Sequence, residues 1–290
     1  MPDNMRPLRS VLYIPGSNNR ALDKARGLPV DAIIFDLEDA VAPDAKVAAR
    51  ATLAKALGHG YGARVTMVRI NGFDSEWGAD DLAAIATASP EAVLLPKVNR
   101  AADIKDLAQR LALRPETANT RIWAMMETCS GIQNAAAIAR APRMAGFILG
   151  TNDLAKEIGC ATGGDRMAMM LSLQTCLLAA RAAGIACIDG VYNAFKDDDG
   201  LRAECEQGRA LGMDGKTLIH PGQVTIANTV FAPSPEAIDL AQRQIAAHKA
   251  ALATGQGVAV LDGRIVENLH IVTARATLAK AEAIAALESA

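Results

Sequence analysis

The stretch RIWAMMETCSGI, residues 121–132, begins as an apolar run and ends on an acid, Glu127. GFILGTNDLA, residues 146–155, repeats the arrangement with an apolar run, a glycine and then Asp153. A strand covered on both faces has no structural use for a charge, and burying one alone is costly. Both acids are accommodated if the two strands lie in one sheet and their ends open into a common mouth.

Working outward, the same kind of run recurs at SVLYI (10–14), AIIFD (32–36), RVTMVRI (64–70), AVLLP (92–96), IACID (185–189) and GKTLI (215–219). These runs are near-continuous in apolar character, as a parallel sheet covered on both faces requires. Alanine-rich helical patterns separate them, such as residues 44–57, 101–113, 165–183 and 200–212. Eight strand–helix units in order predict a closed (β/α)₈ TIM barrel rather than an open doubly wound sheet. No GxGxxG follows the first run, which weakens a dinucleotide-binding alternative. The 290 residues are close to the ~250 of such a barrel.

After Pro221 the rhythm changes. PSPEAIDLAQRQIAAHKAALATG (233–255) reads as a helix opened by a Ser-Pro N-cap and closed by Gly255. VAVLDGRIVE (258–267) reads as a hairpin turning on Asp262-Gly263, and a last helix runs from about Ile271. The expected organisation is a barrel over residues 1–230 and a C-terminal helix–hairpin–helix extension over 231–290, serving as a lid or a subunit-exchange arm.

Half of the residues (51%) are hydrophobic and 21% are charged, which is a soluble globular composition. The net charge of −2 comes without a basic block, which argues against nucleic acid as a partner. No apolar run approaches the ~20 residues of a membrane span, and MPDNMRPLRS lacks a signal pattern. Five scattered cysteines without a CxxC pair fit reduced thiols in a cytoplasmic protein.

In a barrel the working groups sit at the C-terminal ends of the strands. Those positions hold Asp36, Glu38 and Asp39, Arg69 and Asn71, Lys97, Glu127, Asn152 and Asp153, Asp189 and His220. Two carboxylates on adjacent strands, with no His or Cys cluster, suit a hard cation such as Mg²⁺ better than Zn²⁺. The alternative is that each acid forms a salt bridge at the barrel mouth. Arg69 would face the metal site as an anion or oxyanion clamp, or pair with the acids of strand two. The loop PGSNNRALDKA (15–25) leads into a helix N-terminus, with Arg20 and Lys24 adding positive charge for an anion, although a capped helix explains it equally. His220 either bonds a ligand or caps its turn.

Taken together, RSVLYIPGSN, IIFDLEDAVAP, VRING, LPKV, METCSGI, LGTNDLA, DGVYNAF and GKTLIHPGQ resemble the citrate lyase β-subunit-like family. The nearest branch is that of malyl-CoA lyases and (3S)-malyl-CoA thioesterases. The resemblance implies a (β/α)₈ barrel acting on acyl-CoA thioesters with Mg²⁺, or Mn²⁺ in its place, and assembling as a homotrimer or homohexamer. It implies Glu127 and Asp153 as metal ligands and Arg69 as the contact to the acid substrate and thioester oxygen. Asn152 accompanies Asp153 in the substrate site. Tyr13 and Lys24 match positions that hold coenzyme A, and Ile219 and His220, in the matching IHP segment, are counted with the substrate and CoA contacts.

Two departures stand out. Asn18 occupies a position where lyases of the branch often carry arginine, so Arg20 is expected to supply that phosphate contact. Glu267, in GRIVE, stands where an aspartate is common, and the resemblance implies that it reaches a neighbouring subunit's site as a catalytic base. The expected activity is hydrolysis of malyl-CoA to malate and CoA. The alternatives are carbon–carbon cleavage of malyl-CoA or citramalyl-CoA, and a citrate lyase β-like subunit that needs an acyl-carrier partner.

Overall fold

Each of the eight apolar runs forms a strand: β1 (Ser10–Pro15), β2 (Ala32–Asp36), β3 (Val65–Arg69), β4 (Ala92–Leu95), β5 (Arg121–Met126), β6 (Met144–Leu149), β7 (Ala186–Asp189) and β8 (Gly215–Leu218). The structure is a computed structural model and describes residues 6–162 and 164–289; the N-terminal pattern read over MPDNM lies outside them. Neighbouring strands are parallel throughout, and β8 returns to pair with β1, with Ser10 opposite Lys216 and Leu12 opposite Leu218. The predicted (β/α)₈ barrel is therefore the fold.

Side chains alternate between two cores, as the period of a strand dictates. Val11, Ile34, Met67, Leu94, Trp123, Met125 and Ile148 belong to the cluster that fills the barrel interior. Leu12, Ile33, Phe35, Val68, Val93 and Phe147 turn outward and pack with Leu22, Leu53, Ile85, Leu107 and Leu173 of the surrounding helices. Gly146 makes the interior possible, because a Cβ there would overlap the ring of Trp123. At the N-terminal face, Arg9 before β1 pairs with Asp31 before β2 at 2.9 Å, both buried. This pair lies at the end of the barrel away from the strand C-termini, where it ties β1 to β2 and takes no part in the cavity.

Short polar residues start the helices where the chain leaves the strands. Asn18, Thr128 and Asp197 each accept a backbone N–H from the first turn that follows. The barrel unit runs over Leu8–Phe231.

A second unit takes in Ala232–Ala290. Its helix Pro235–Ala253 is capped by Ser234, whose hydroxyl accepts the Ala237 N–H at 3.2 Å. The strands β9 (Ala259–Leu261) and β10 (Arg264–Val266) pair antiparallel. Asp262 and Gly263, between them, have φ of +48° and +72°, the left-handed pair that a two-residue type I′ turn requires. The final helix, Asn268–Glu288, begins at Asn268 rather than Ile271 because the His270 ring caps the backbone N–H of Glu267 at 3.0 Å. Among the described residues no helix is long and apolar enough to cross a membrane.

Candidate active site

A cavity of about 300 Å³ opens at the C-terminal end of the barrel. Its wall takes Tyr13 from β1, Asp36 and Asp39 from the end of β2, Arg69 from β3, and Met125 and Glu127 from β5. Asn152 and Asp153 follow β6, Asn193 follows β7, and Ile219 follows β8. The two acids that opened the sequence reading thus meet in one cavity with Arg69.

Glu127 is held by its neighbours' backbones. Its Oε1 accepts the Lys97 N–H at 2.8 Å, and Lys97 presents that N–H from a left-handed backbone with φ of +50°. Such a conformation costs a non-glycine residue roughly 1–3 kcal/mol and persists where surrounding contacts enforce it. Gly150 clears the other side, since a Cβ there would overlap the Glu127 carboxylate. Burial pushes the Glu127 acid up to about 7, the Lys97 N–H works against this, and the negative charges of Glu38 and Asp153 add to it. Asp153 stands in the first turn of the helix Thr151–Ile158, where the helix dipole favours an anion.

Arg69 is fixed by β2. Its Nε donates to Asp36 Oδ1 at 2.7 Å and its Nη2 to Asp36 Oδ2, a bidentate pairing between buried groups. Its Nη1 lies 2.8 Å from Glu38 Oε2 and reaches Asp39 at 3.4 Å. Burial alone would lower its pKa, but Asp36 outweighs burial and holds the guanidinium charged. Glu38 is bridged in turn by the Lys97 ammonium at 2.9 Å. Arg69 thus pairs with the acids of strand two and also lines the cavity.

The residues expected to hold CoA are more scattered. Tyr13 lies at the cavity floor, its ring centroid 5.0 Å from the Arg69 guanidinium, and burial raises its phenol pKa. Asn18 uses its side-chain oxygen to accept the Ala21 N–H at 3.1 Å, so it serves as a helix cap. Arg20 and Lys24 are exposed on the helix Asn19–Ala25. Ile219 is exposed at the cavity edge, and the His220 Nδ1 accepts the Gly222 N–H while its ring lies 5.0 Å from that of Phe195. Glu267 belongs to the second unit, with its side chain exposed at the start of the final helix.

Asp189, grouped by sequence with the mouth acids, is instead fully buried between Arg166 at 2.7 Å and Lys216 at 3.2 Å. Burial alone would raise its pKa, and those two cations overcome it and hold it below the ordinary value. Sequence reasoning missed Met125, which reads as barrel core. It also missed Asn193, whose carboxamide exchanges hydrogen bonds with that of Asn152 at 2.8 and 3.3 Å.

Glu127 and Asp153 offer only hard oxygen ligands, and among the described residues no group of three or more His, Cys, Asp or Glu converges. Two carboxylates that leave the remaining positions to substrate and water suit Mg²⁺. Burial, with Glu38 and Asp153 adding to it, raises the Glu127 acid, so a cation held there would offset the cost of its charge. The residues fit such an ion.

A closed parallel barrel with carboxylates and an arginine gathered at the strand C-termini defines a TIM-barrel enzyme. The chain belongs to the HpcH/HpaI aldolase/citrate lyase family, which matches residues 9–221. It is 61% identical over 290 residues, the whole of both chains, to a protein of Cereibacter sphaeroides named (3S)-malyl-CoA thioesterase. It is 35% identical to the citrate lyase subunit beta of Escherichia coli, over 96% of this chain and 94% of that one. The crystal structure of protein CitE from Mycobacterium tuberculosis in complex with magnesium, acetoacetate and coenzyme A superposes with a TM-score of 0.79. That structure shares 30% identity, covering 94% of this chain and 97% of CitE.

Proposed function

We propose that this protein is a (3S)-malyl-CoA thioesterase, hydrolysing its substrate to malate and CoA in the presence of Mg²⁺, with Mn²⁺ as a substitute. The observation that carries the reading is the cavity in which Glu127, Asp153 and Arg69 converge. It occurs in a chain 61% identical from end to end to proteins of that name, against 35% for citrate lyase subunit beta.

Glu127 and Asp153 are the residues that would hold the cation. A bound divalent ion would supply charge for the hydroxyl and terminal carboxylate of the substrate and polarise its oxygens. Arg69, locked by Asp36, presents a fixed positive group to the oxygen that gains charge when the thioester is attacked. Lys97 and Gly150 keep the Glu127 carboxylate in one orientation. Arg20, Lys24, Ile219 and His220 border the route for the CoA moiety, and Asn18 contributes by fixing the helix that carries Arg20 and Lys24. Asn152 positions Asp153 through its pairing with Asn193.

Glu267 activates water as a general base from a neighbouring subunit, within a homotrimer or homohexamer in which the extension serves as the covering arm. The five unpaired cysteines are in keeping with the reducing cytoplasm.

Incubation with malyl-CoA and Mg²⁺, with products resolved by chromatography, tests the reaction. Malate plus CoA is expected; acetyl-CoA plus glyoxylate would make the protein a lyase. The shared site has its own test. Glu267→Ala and Glu127→Ala are each expected to be inactive alone and to recover activity when mixed under subunit exchange, because mixed oligomers contain sites with both acids. Absence of recovery would reject the shared site.

The close fit of Gly150 against Glu127 gives another expectation. Gly150→Ala adds a methyl where the carboxylate stands while leaving an allowed backbone, φ −97°. Turnover is expected to drop on the order of 10²-fold, the effect of misplacing a working group by about 1 Å. The added methyl also meets the Glu127 Cβ, so the thermal midpoint should fall as well, by the ~1–3 kcal/mol of an overpacked site. Parent-like kinetics would mean that Glu127 has room to move.

A further inference from the structure

Tyr13 alternates inward from β1, so its ring stands on top of the packed barrel interior rather than on the outer rim. Its hydroxyl has one hydrogen-bond partner among the described residues, Met125 Sδ at 3.9 Å. A thioether sulfur is a weak acceptor. Arg69 Nη1, which also meets Glu38 at 2.8 Å and Asp39 at 3.4 Å, reaches the same sulfur at 3.6 Å. Two donors, one from β1 and one from β3, thus converge on a single soft atom in the cavity wall. A substrate oxygen gaining negative charge would be a far stronger acceptor for both.

We propose that Tyr13 is a catalytic residue, whose hydroxyl donates to the thioester carbonyl oxygen beside Arg69 and completes a two-donor oxyanion site. The assignment rests on the thioesterase reading given above. As the water oxygen bonds to the carbonyl carbon, the π pair of the C=O bond moves onto oxygen, between the Tyr13 O–H and the Arg69 guanidinium. The proton of the water passes to the Glu267 carboxylate. When the C=O bond re-forms, the C–S bond breaks and its electron pair leaves on the CoA sulfur, which takes the proton back from Glu267. Tyr13 keeps its own proton throughout and supplies only the hydrogen bond.

Tyr13→Phe removes the donor and keeps the ring against Arg69. The kcat for malyl-CoA hydrolysis is expected to fall about 10²-fold, the usual loss for one oxyanion donor, with KM within about threefold and the thermal midpoint near the parent's. Calorimetry provides a second readout, with a stable ketone analogue of malyl-CoA in which CH₂ replaces the thioester sulfur. The variant should bind that analogue about tenfold more weakly, the range of one lost hydrogen bond, and bind CoA alone as the parent does. A kcat within about threefold of the parent would overturn the assignment. Equal weakening for CoA and the analogue would overturn it too, making Tyr13 a general CoA contact. A parent that leaves malyl-CoA intact would overturn the thioesterase reading alone, and the binding comparison would still decide Tyr13.

Discussion

Turnover of malyl-CoA is expected to fall by more than about 10²-fold in Glu127→Ala and in Asp153→Ala, with thermal midpoints close to the parent's. Loss of a group that merely orients a metal ligand already costs about 10–100-fold, and each of these changes removes one of two carboxylates. Neither acid supports the barrel. Glu127 lies above the interior cluster and accepts one backbone N–H, while Asp153 is half-buried at the cavity wall. Removing the Glu127 carboxylate also relieves charge crowding with Glu38 and Asp153, so stability should not suffer. Titration with Mn²⁺, read by electron paramagnetic resonance, separates ion binding from catalysis and should show weaker binding in both variants. Full activity of the parent in excess chelator would remove the metal from the mechanism.

Arg69→Lys is the second large expected effect, a loss of about 10²–10³-fold in kcat. Charge is conserved, but geometry is not. The guanidinium spends Nε and Nη2 on Asp36, while Nη1, held beside Glu38 and Asp39, also faces Met125 in the cavity wall. An ammonium on a flexible stem is a point charge and cannot satisfy a bidentate carboxylate and a substrate oxygen from one fixed plane. Lysine should keep an ion pair with the buried Asp36, so the variant should fold. A kcat within a few-fold of the parent would mean that Arg69 serves only to neutralise the acids of β2.

Much of the fold was legible because a parallel barrel writes itself as apolar runs at regular intervals. All eight runs became strands, with ends differing by a residue or two, and the Asp262-Gly263 turn fell where its left-handed backbone was needed. The common location of Glu127, Asp153 and Arg69 was legible for the same reason, since strand ends share one face. What remained hidden depends on contacts between residues distant in sequence. Asp189 ends its strand as the other acids do, yet Arg166 and Lys216 hold it inside. Asn152 and Asn193 look like ordinary loop residues until folding pairs them. Asn18 offered both an anion-site and a capping reading, and only the hydrogen bond to Ala21 gives its side chain a place. Nothing in the letters of AMMET distinguishes Met125, at the cavity, from Met126, in the outer core.

Lys97 meets two demands of different kinds. Its amide, turned by a left-handed backbone, orients Glu127, and its ammonium bridges Glu38. Glycine would satisfy the first demand at less cost and forfeit the second. Other long side chains would tolerate the backbone no better than lysine and would carry no ammonium to Glu38. Few single-residue exchanges preserve both functions, so drift at this position is confined from two directions at once. A designer reshaping the site would have to change Lys97 and Glu38 together.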